Sequence, residues 1–176
     1  MKPIFKSNLV ISTIVACVAL FFSACTNSTP NTAADEKQIS AMLDSFNVAA
    51  AKADFNKYFS YYTEDAIFTG TDATERWDKK AFMAWAKPIF DKGHAWNFTA
   101  LERHIYFDKT GNLAWFDELL NTQMKICRGS GVLVKQGSDW KLQQYILSTT
   151  IPNDQLDSII KIKTAVEDSI INTLKK

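Results

Sequence analysis

Asp117, Glu118 and Arg128 are the residues whose types and placement point to chemistry. They lie in Asn112–Asn153, NLAWFDELLNTQMKICRGSGVLVKQGSDWKLQQYILSTTIPN. This stretch reads as three long strands, rich in aromatic and β-branched residues and separated by short turns. A charge buried in such a strand is costly unless it is paired or borders a wet cavity. On alternate positions Asp117 shares a face with Leu113, Trp115 and Leu119, and Glu118 shares the other with Ala114, Phe116 and Leu120. Without a bulge, only one of the two carboxylates can face a cavity. Arg128 goes with Ile126, Ser130, Val132 and Val134, and its guanidinium stays charged at any accessible pH. It therefore calls for an anion: Asp117, Glu118, the Asp72/Glu75 loop or a ligand. A structural cross-strand pair and a bidentate grip on a polar ligand both remain open.

A second concentration of polar groups is Thr71-Asp72-Ala73-Thr74-Glu75-Arg76-Trp77. It reads as a loop that either caps the next helix through local pairing or forms a cavity rim. The two histidines, His94 and His104, are far apart and have no metal-ligand spacing with Cys, Asp or Glu. His104, on a strand beside Arg103, reads as a packing or hydrogen-bonding residue. No Ser-His-Asp order, zinc motif or phosphate loop is present, and no cofactor is expected. Gly129 and Gly131 share one strand face, which suggests sheet curvature.

The elements that position these groups follow from periodicity. Ile39, Met42, Leu43, Phe46 and Ala50 make Asp35–Ala53 an amphipathic helix. Asp54 caps a short second helix, and Asp78 caps a third over Lys79–Asp91, which contains Pro88. Ala66–Gly70 and Trp96–Phe107 read as strands, followed by Leu113–Thr122, Ile126–Lys135 and Trp140–Thr149. Asp108–Gly111 and Gln136–Asp139 make the tight turns. From Pro152 a C-terminal helix starts, with a stripe of Ile159, Ile162, Val166, Ile170 and Leu174.

The N-terminus reads as an address. Lys2 and Lys6 precede a short apolar run, Leu9–Phe22, that ends in Ser23-Ala24-Cys25. That is a secretory signal pattern, too short for a comfortable membrane span. Ending at a cysteine, it resembles a bacterial lipoprotein signal, in which Cys25 is acylated and becomes the first residue. Two acyl chains would anchor the domain stably to a membrane surface. The polar stretch Thr26–Ala34 reads as a tether. The expected organisation is a signal peptide over 1–24, a tether over 25–34, a folded domain over 35–153 and a C-terminal helix over 154–176. Loss of Lys2 and Lys6 leaves 18 basic groups against 19 acidic ones, so no positive field for nucleic acid remains. The five tryptophans either pack a dense core or line a concave pocket.

Three motifs resemble the SnoaL-like branch of the NTF2-like superfamily: Ala114-Trp115-Phe116-Asp117-Glu118, Arg128-Gly129-Ser130-Gly131-Val132-Leu133, and Trp140 to Ser148. Gly70 to Trp77 looks like a further signature of that branch. The resemblance implies an α+β cone, with a curved antiparallel sheet wrapped around N-terminal helices and enclosing a cavity. The same fold hosts cyclases, isomerases, dehydratases and non-catalytic binding modules. Many SnoaL-like proteins carry His where this chain has Ile146, and the catalytic residues of the cyclases and isomerases find no match here.

The pocket candidates are therefore Asp72, Glu75, Arg76, Trp77, Trp115, Asp117, Glu118, Arg128 and Tyr145. The leading expectation is a lipid-anchored domain of the cell envelope, on the periplasmic or cell-surface side of a bacterial membrane, that binds a small, partly apolar molecule. The alternatives are an enzyme using Asp117 or Glu118 as general acid or base, and a dimeric interaction module. A carboxylate alone in an apolar cavity would favour the enzyme, one fully paired with Arg128 would favour binding or structure, and both carboxylates on the outer face would favour interaction. A homodimer through the outer sheet face is expected, because the strands carry apolar residues on both faces. The Cys25 anchor has a direct test: a fatty-acid analogue fed to expressing cells should label the wild type and not Cys25→Ala. Equal labelling of both would overturn it.

Overall fold

The structure, a computed structural model, describes residues 32–175. The residues expected to form a signal peptide, Cys25 and most of the expected tether lie outside the described residues. Helix α1 spans Thr32–Ala51, so the last residues assigned to the tether are helical. Ile39, Leu43, Phe46 and Ala50 recur every three to four residues, and all are buried. The chain reverses at Ala53, which takes a left-handed φ of 53°. The Asp54 carboxylate accepts the Lys57 N–H at 3.0 Å and starts α2, Phe55–Ser60. Strand β1, Tyr62–Thr69, leads through the polar loop to a short edge strand β2, Arg76–Asp78. The stretch read as loop through Trp77 thus ends in strand, because residues 76–78 pair with 67–69. Asp78 then caps α3, Lys79–Phe90, accepting the Ala81 N–H at 2.8 Å. Pro88 sits inside α3, in its last turn.

Strands β3 (Thr99–Phe107), β4 (Leu113–Thr122), β5 (Lys125–Gln136) and β6 (Asp139–Thr149) form an antiparallel meander. The sheet order is β2-β1-β6-β5-β4-β3, with β1 parallel to β6. Gly111 (φ 70°) and Gly137 (φ 64°) supply the left-handed positions of two hairpins. The inner face of the sheet carries Ala114, Phe116, Glu118 and Leu120 of β4, Cys127 and Leu133 of β5, and Leu142, Tyr145 and Leu147 of β6. All are buried.

Gly129 and Gly131 serve close approach more directly than curvature. A Cβ on Gly129 would stand 2.7 Å from the Tyr145 hydroxyl, and one on Gly131 would stand 2.4 Å from the Gln144 carbonyl oxygen. One of the sheet's register shifts falls beside them, between Val132 and Leu133 in the β5–β6 pairing.

The C-terminal helix α4, Leu156–Leu174, follows a single 3-10 turn at Asn153–Gln155. It carries the apolar stripe read from the sequence, and no residue of α4 is buried. No described helix is long and apolar enough to cross a membrane.

Candidate functional site

The adjacent carboxylates separate as strand alternation requires. Asp117 lies on the outer face, about 40% exposed, with its Oδ1 3.7 Å from His104 Nδ1. Glu118 points inward and is 1% exposed. Its partner is Arg103 rather than Arg128. Arg103 Nε donates to Glu118 Oε2 at 2.8 Å, and Nη2 lies at the same distance from that oxygen. Nη2 is off the line of a second hydrogen bond, so it adds charge more than directionality. Nη1 donates to the Ser40 carbonyl at 3.0 Å and to Ser40 Oγ at 2.9 Å, and lies 3.0 Å from Asp44 Oδ1. One guanidinium therefore ties α1 to β3 and β4. The second carboxylate oxygen, Oε1, accepts the Tyr145 hydroxyl at 3.4 Å.

Arg128 was read as a cation in an apolar strand in need of an anion. It is exposed instead, opposite Leu119 and Ser148 on the outer face. Among the described residues no carboxylate pairs with it. Register decides this: Arg128 alternates with buried Cys127 and Gly129, and water rather than a carboxylate solvates its charge. Arg103, on β3, occupies the inward position opposite Glu118. No pattern within β3 marks it out, because only the β3–β4 register sets residue 103 against 118.

The cavity lies elsewhere along the inner face and measures about 170 Å³. Its walls are aromatic: Phe46 of α1, Tyr58 of α2, Phe68 of β1, Phe82 and Trp85 of α3, and Tyr145 of β6. Trp96 and Phe98, just before β3, complete it. Phe68 and Phe82 stack with centroids 3.9 Å apart, inclined by 7°. Trp77 stacks on Trp85 at 4.8 Å and so supports the wall from outside it. Thr71, Gln123 and Met124 stand at the mouth, and Glu75 is the one charged side chain among the lining residues. Gly70 makes room for that carboxylate, since a Cβ there would sit 2.1 Å from Glu75 Oε2. The same oxygen accepts the Asp72 N–H at 3.3 Å.

Of the nine residues singled out from sequence, Glu75 and Tyr145 line the cavity, Trp77 backs it, and Glu118 lies behind Tyr145. Asp72 closes its own turn, accepting the Thr74 hydroxyl and N–H at 2.6 and 2.8 Å, and those bonds hold its carboxyl below the ordinary range. Arg76 is exposed on the edge strand, and Trp115 stacks on Tyr106 at 5.8 Å on the outer face. The aromatic wall residues missed were Phe46, Tyr58, Phe68, Phe82, Trp85, Trp96 and Phe98. Their signal was the concentration of tryptophan and phenylalanine, which fits a dense core equally well. Tyr58 and Tyr62 place their hydroxyls 3.3 Å apart, and burial raises both above the ordinary phenol range. They are neutral hydrogen-bonding groups at any ordinary pH.

A curved sheet with helices on its concave side and an aromatic cavity between them defines an NTF2-like fold. The SnoaL-like domain profile matches residues 39–152, and the chain belongs to that family. Among solved structures it is similar to an NTF2-like protein of unknown function from Pseudomonas putida KT2440. The two are 15% identical with a TM-score of 0.59, over 70% of this chain and 92% of that one. It is similar also to a putative scytalone dehydratase from Novosphingobium aromaticivorans, at 12% identity and a TM-score of 0.58 over 68% and 87% of the two chains. A putative aromatic ring hydroxylase from the same organism gives 13% identity and 0.58, over 67% and 90%. At these identities the likeness is one of fold. No curated protein matches the chain.

Burial lifts the Glu118 carboxyl above its ordinary value of 4.5, while Arg103 and the Tyr145 hydroxyl pull it back down. A carboxyl raised by folding binds its proton more tightly in the folded than in the unfolded chain. Its contribution is therefore present at low pH and is lost as pH rises through the folded value. Arg103→Met removes the main opposing charge. We expect a loss of about 3–5 kcal/mol near neutral pH, shrinking as acid protonates Glu118. Denaturant midpoints at neutral and mildly acidic pH measure this. An equal penalty at both would show that Glu118 is not held as a buried anion.

Proposed function

We propose that this domain binds one small, flat, partly apolar molecule in its aromatic cavity, with a donor or cationic end of the ligand held at Glu75. The observation that carries this is the composition of the lining: eight aromatic side chains, with Leu147 and Met124 beside them, and a single carboxylate. A cavity of about 150 Å³ lined with apolar groups is large enough to hold benzene, so this one suits a single ring with a short substituent. Glu118 supports binding better than acid–base catalysis. It is shielded from the cavity by Tyr145 and neutralised by Arg103, and Asp117 faces the other way.

The reading extends to location and assembly. The Ser-Ala-Cys25 pattern and the polar stretch after it support a lipid anchor and a place in the cell envelope, outside the cytoplasmic face of a bacterial membrane. The exposed Tyr106–Trp115 stack, with Leu113 beside it, supports a homodimer through the outer sheet face. This contact is best isolated in a form ending at Asn153, which lacks α4. Light scattering should give a dimer for that form and a monomer once Trp115→Glu is introduced. A monomer before the substitution would remove the reading.

Ligand binding is tested by thermal-shift screening of one-ring aromatics in matched aminomethyl, hydroxymethyl and carboxylate forms, with titration of any hit. The aminomethyl form should bind best. Trp85→Ala, at a partly exposed wall position, should weaken it about tenfold or more, roughly 1.4 kcal/mol. Glu75→Gln should weaken the amine and leave the alcohol nearly unchanged. A preference for the carboxylate, or affinities indifferent to both substitutions, would reject the site.

A further inference from the structure

Helix α4 is the part of the described chain that the cavity does not explain. Its eight large aliphatic residues, Leu156, Ile159, Ile160, Ile162, Val166, Ile170, Ile171 and Leu174, fall on one half of the helical wheel at 100° per residue. Yet none is buried, and Leu174 is 79% exposed. A stripe this wide marks a face that packs on something.

The sequence of the stripe is self-complementary at six of its eight aliphatic positions, with Ile162 and Val166 standing opposite Asp168 and Thr164. Counted from Ala165, leucine stands nine residues away on both sides, at Leu156 and Leu174. Isoleucines stand five and six residues away on both sides, at Ile159 and Ile160 and at Ile170 and Ile171. Two residues away the charge inverts, with Lys163 on one side and Glu167 on the other. These two lie in the middle of the apolar stripe and pair within the chain at 2.7 Å.

Two such helices laid antiparallel, crossing at Ala165, would set Leu156 against Leu174 and each isoleucine pair against the other. Lys163 of one copy would meet Glu167 of the other at the centre, twice, giving an alternating network of four charges. A parallel pair would instead set lysine against lysine and glutamate against glutamate. A membrane surface fits the helix poorly. Its outward face mixes Asp157 and Asp168 with Lys161, so it offers no basic field to anionic lipid, and the Lys163–Glu167 pair would be pressed into the acyl boundary.

We propose that α4 is a second self-association element, which pairs antiparallel with α4 of another copy of this chain through the Leu156–Leu174 stripe and reciprocal Lys163–Glu167 pairs. It is separate from the outer-face contact, because α4 is joined to the sheet only through the 3-10 turn at Asn153–Gln155.

The test uses full-length chains in two differently tagged copies, co-expressed and mildly oxidised. Leu156→Cys on one copy and Leu174→Cys on the other should give a disulfide-linked dimer carrying both tags, whereas neither substitution alone should link like chains. No residue of α4 is buried, so these changes leave the domain core intact. K163E on both copies, or E167K on both, should lower the yield about fivefold or more, as like charges then meet at the centre. K163E on one copy with E167K on the other should restore it. Recovery in trans separates pairing between chains from the helix-stabilising effect of an ion pair within one chain, which mixing copies cannot repair. Cross-linking of Leu156→Cys with itself would show a parallel pair and overturn the proposal. Absence of any cross-link would overturn it too, leaving the stripe to cover the chain's own sheet or a lipid surface.

Discussion

The buried Arg103–Glu118 pair is the constraint on which the arrangement of the site depends. A guanidinium cannot be neutralised by burial, and a carboxylate with 1% exposure cannot stay charged without compensation. Each therefore fixes the other, and with them three elements. Glu118 belongs to β4, Arg103 to β3, and the remaining donors of Arg103 reach Ser40 and Asp44 in α1. Phe46 lies on that same helix and forms one wall of the cavity. The Tyr145 hydroxyl in turn donates to Glu118, which orients a ring that lines the cavity beside Phe46, their centroids 5.6 Å apart. Gly129 is the spatial condition for this, since any side chain there would occupy the space of that hydroxyl.

The polarity of the molecule is segregated with the same economy. Among the described residues, charge is fully buried in one place, beneath Tyr145, and is compensated there. The cavity beside it is left to aromatic rings, whose stacked faces offer a flat, polarisable wall with few rotatable bonds. A single carboxylate at the mouth gives that wall an orientation, because a ligand with one polar end can satisfy Glu75 in only one direction. The division explains why the buried carboxylate is a poor acid–base group for a bound molecule: its lone pairs are already committed to Arg103 and Tyr145.

Three surfaces of the chain thus have distinct characters. The inner face of the sheet packs and encloses, the outer face carries an exposed aromatic stack amid polar residues, and α4 presents an aliphatic stripe with a charge pair at its centre. The outer face and the stripe remain uncovered within a single chain. That leaves the concave side free for a ligand whatever the state of assembly.

What the sequence by itself determined is the local order. The meander, its hairpin turns, the caps at Asp54 and Asp78, and the opposition of Asp117 to Glu118 all follow from period-two alternation and short-range hydrogen bonding. These signals are local, and so they are legible along one strand or one turn. The family resemblance was legible in the same way, from contiguous motifs. The partner of Glu118 and the identity of the cavity wall were decided only by tertiary structure. Strand register chose Arg103 over Arg128, because pairing β3 with β4 sets residue 103 against 118, and no pattern within either strand specifies that offset. The wall was assembled from Phe46, Tyr58, Phe68, Phe82, Trp85 and Trp96, which are scattered over fifty residues and look alike as core residues. Whether an aromatic side chain fills a core or borders a void depends on what fails to reach it from the other side, and sequence periodicity carries no record of that.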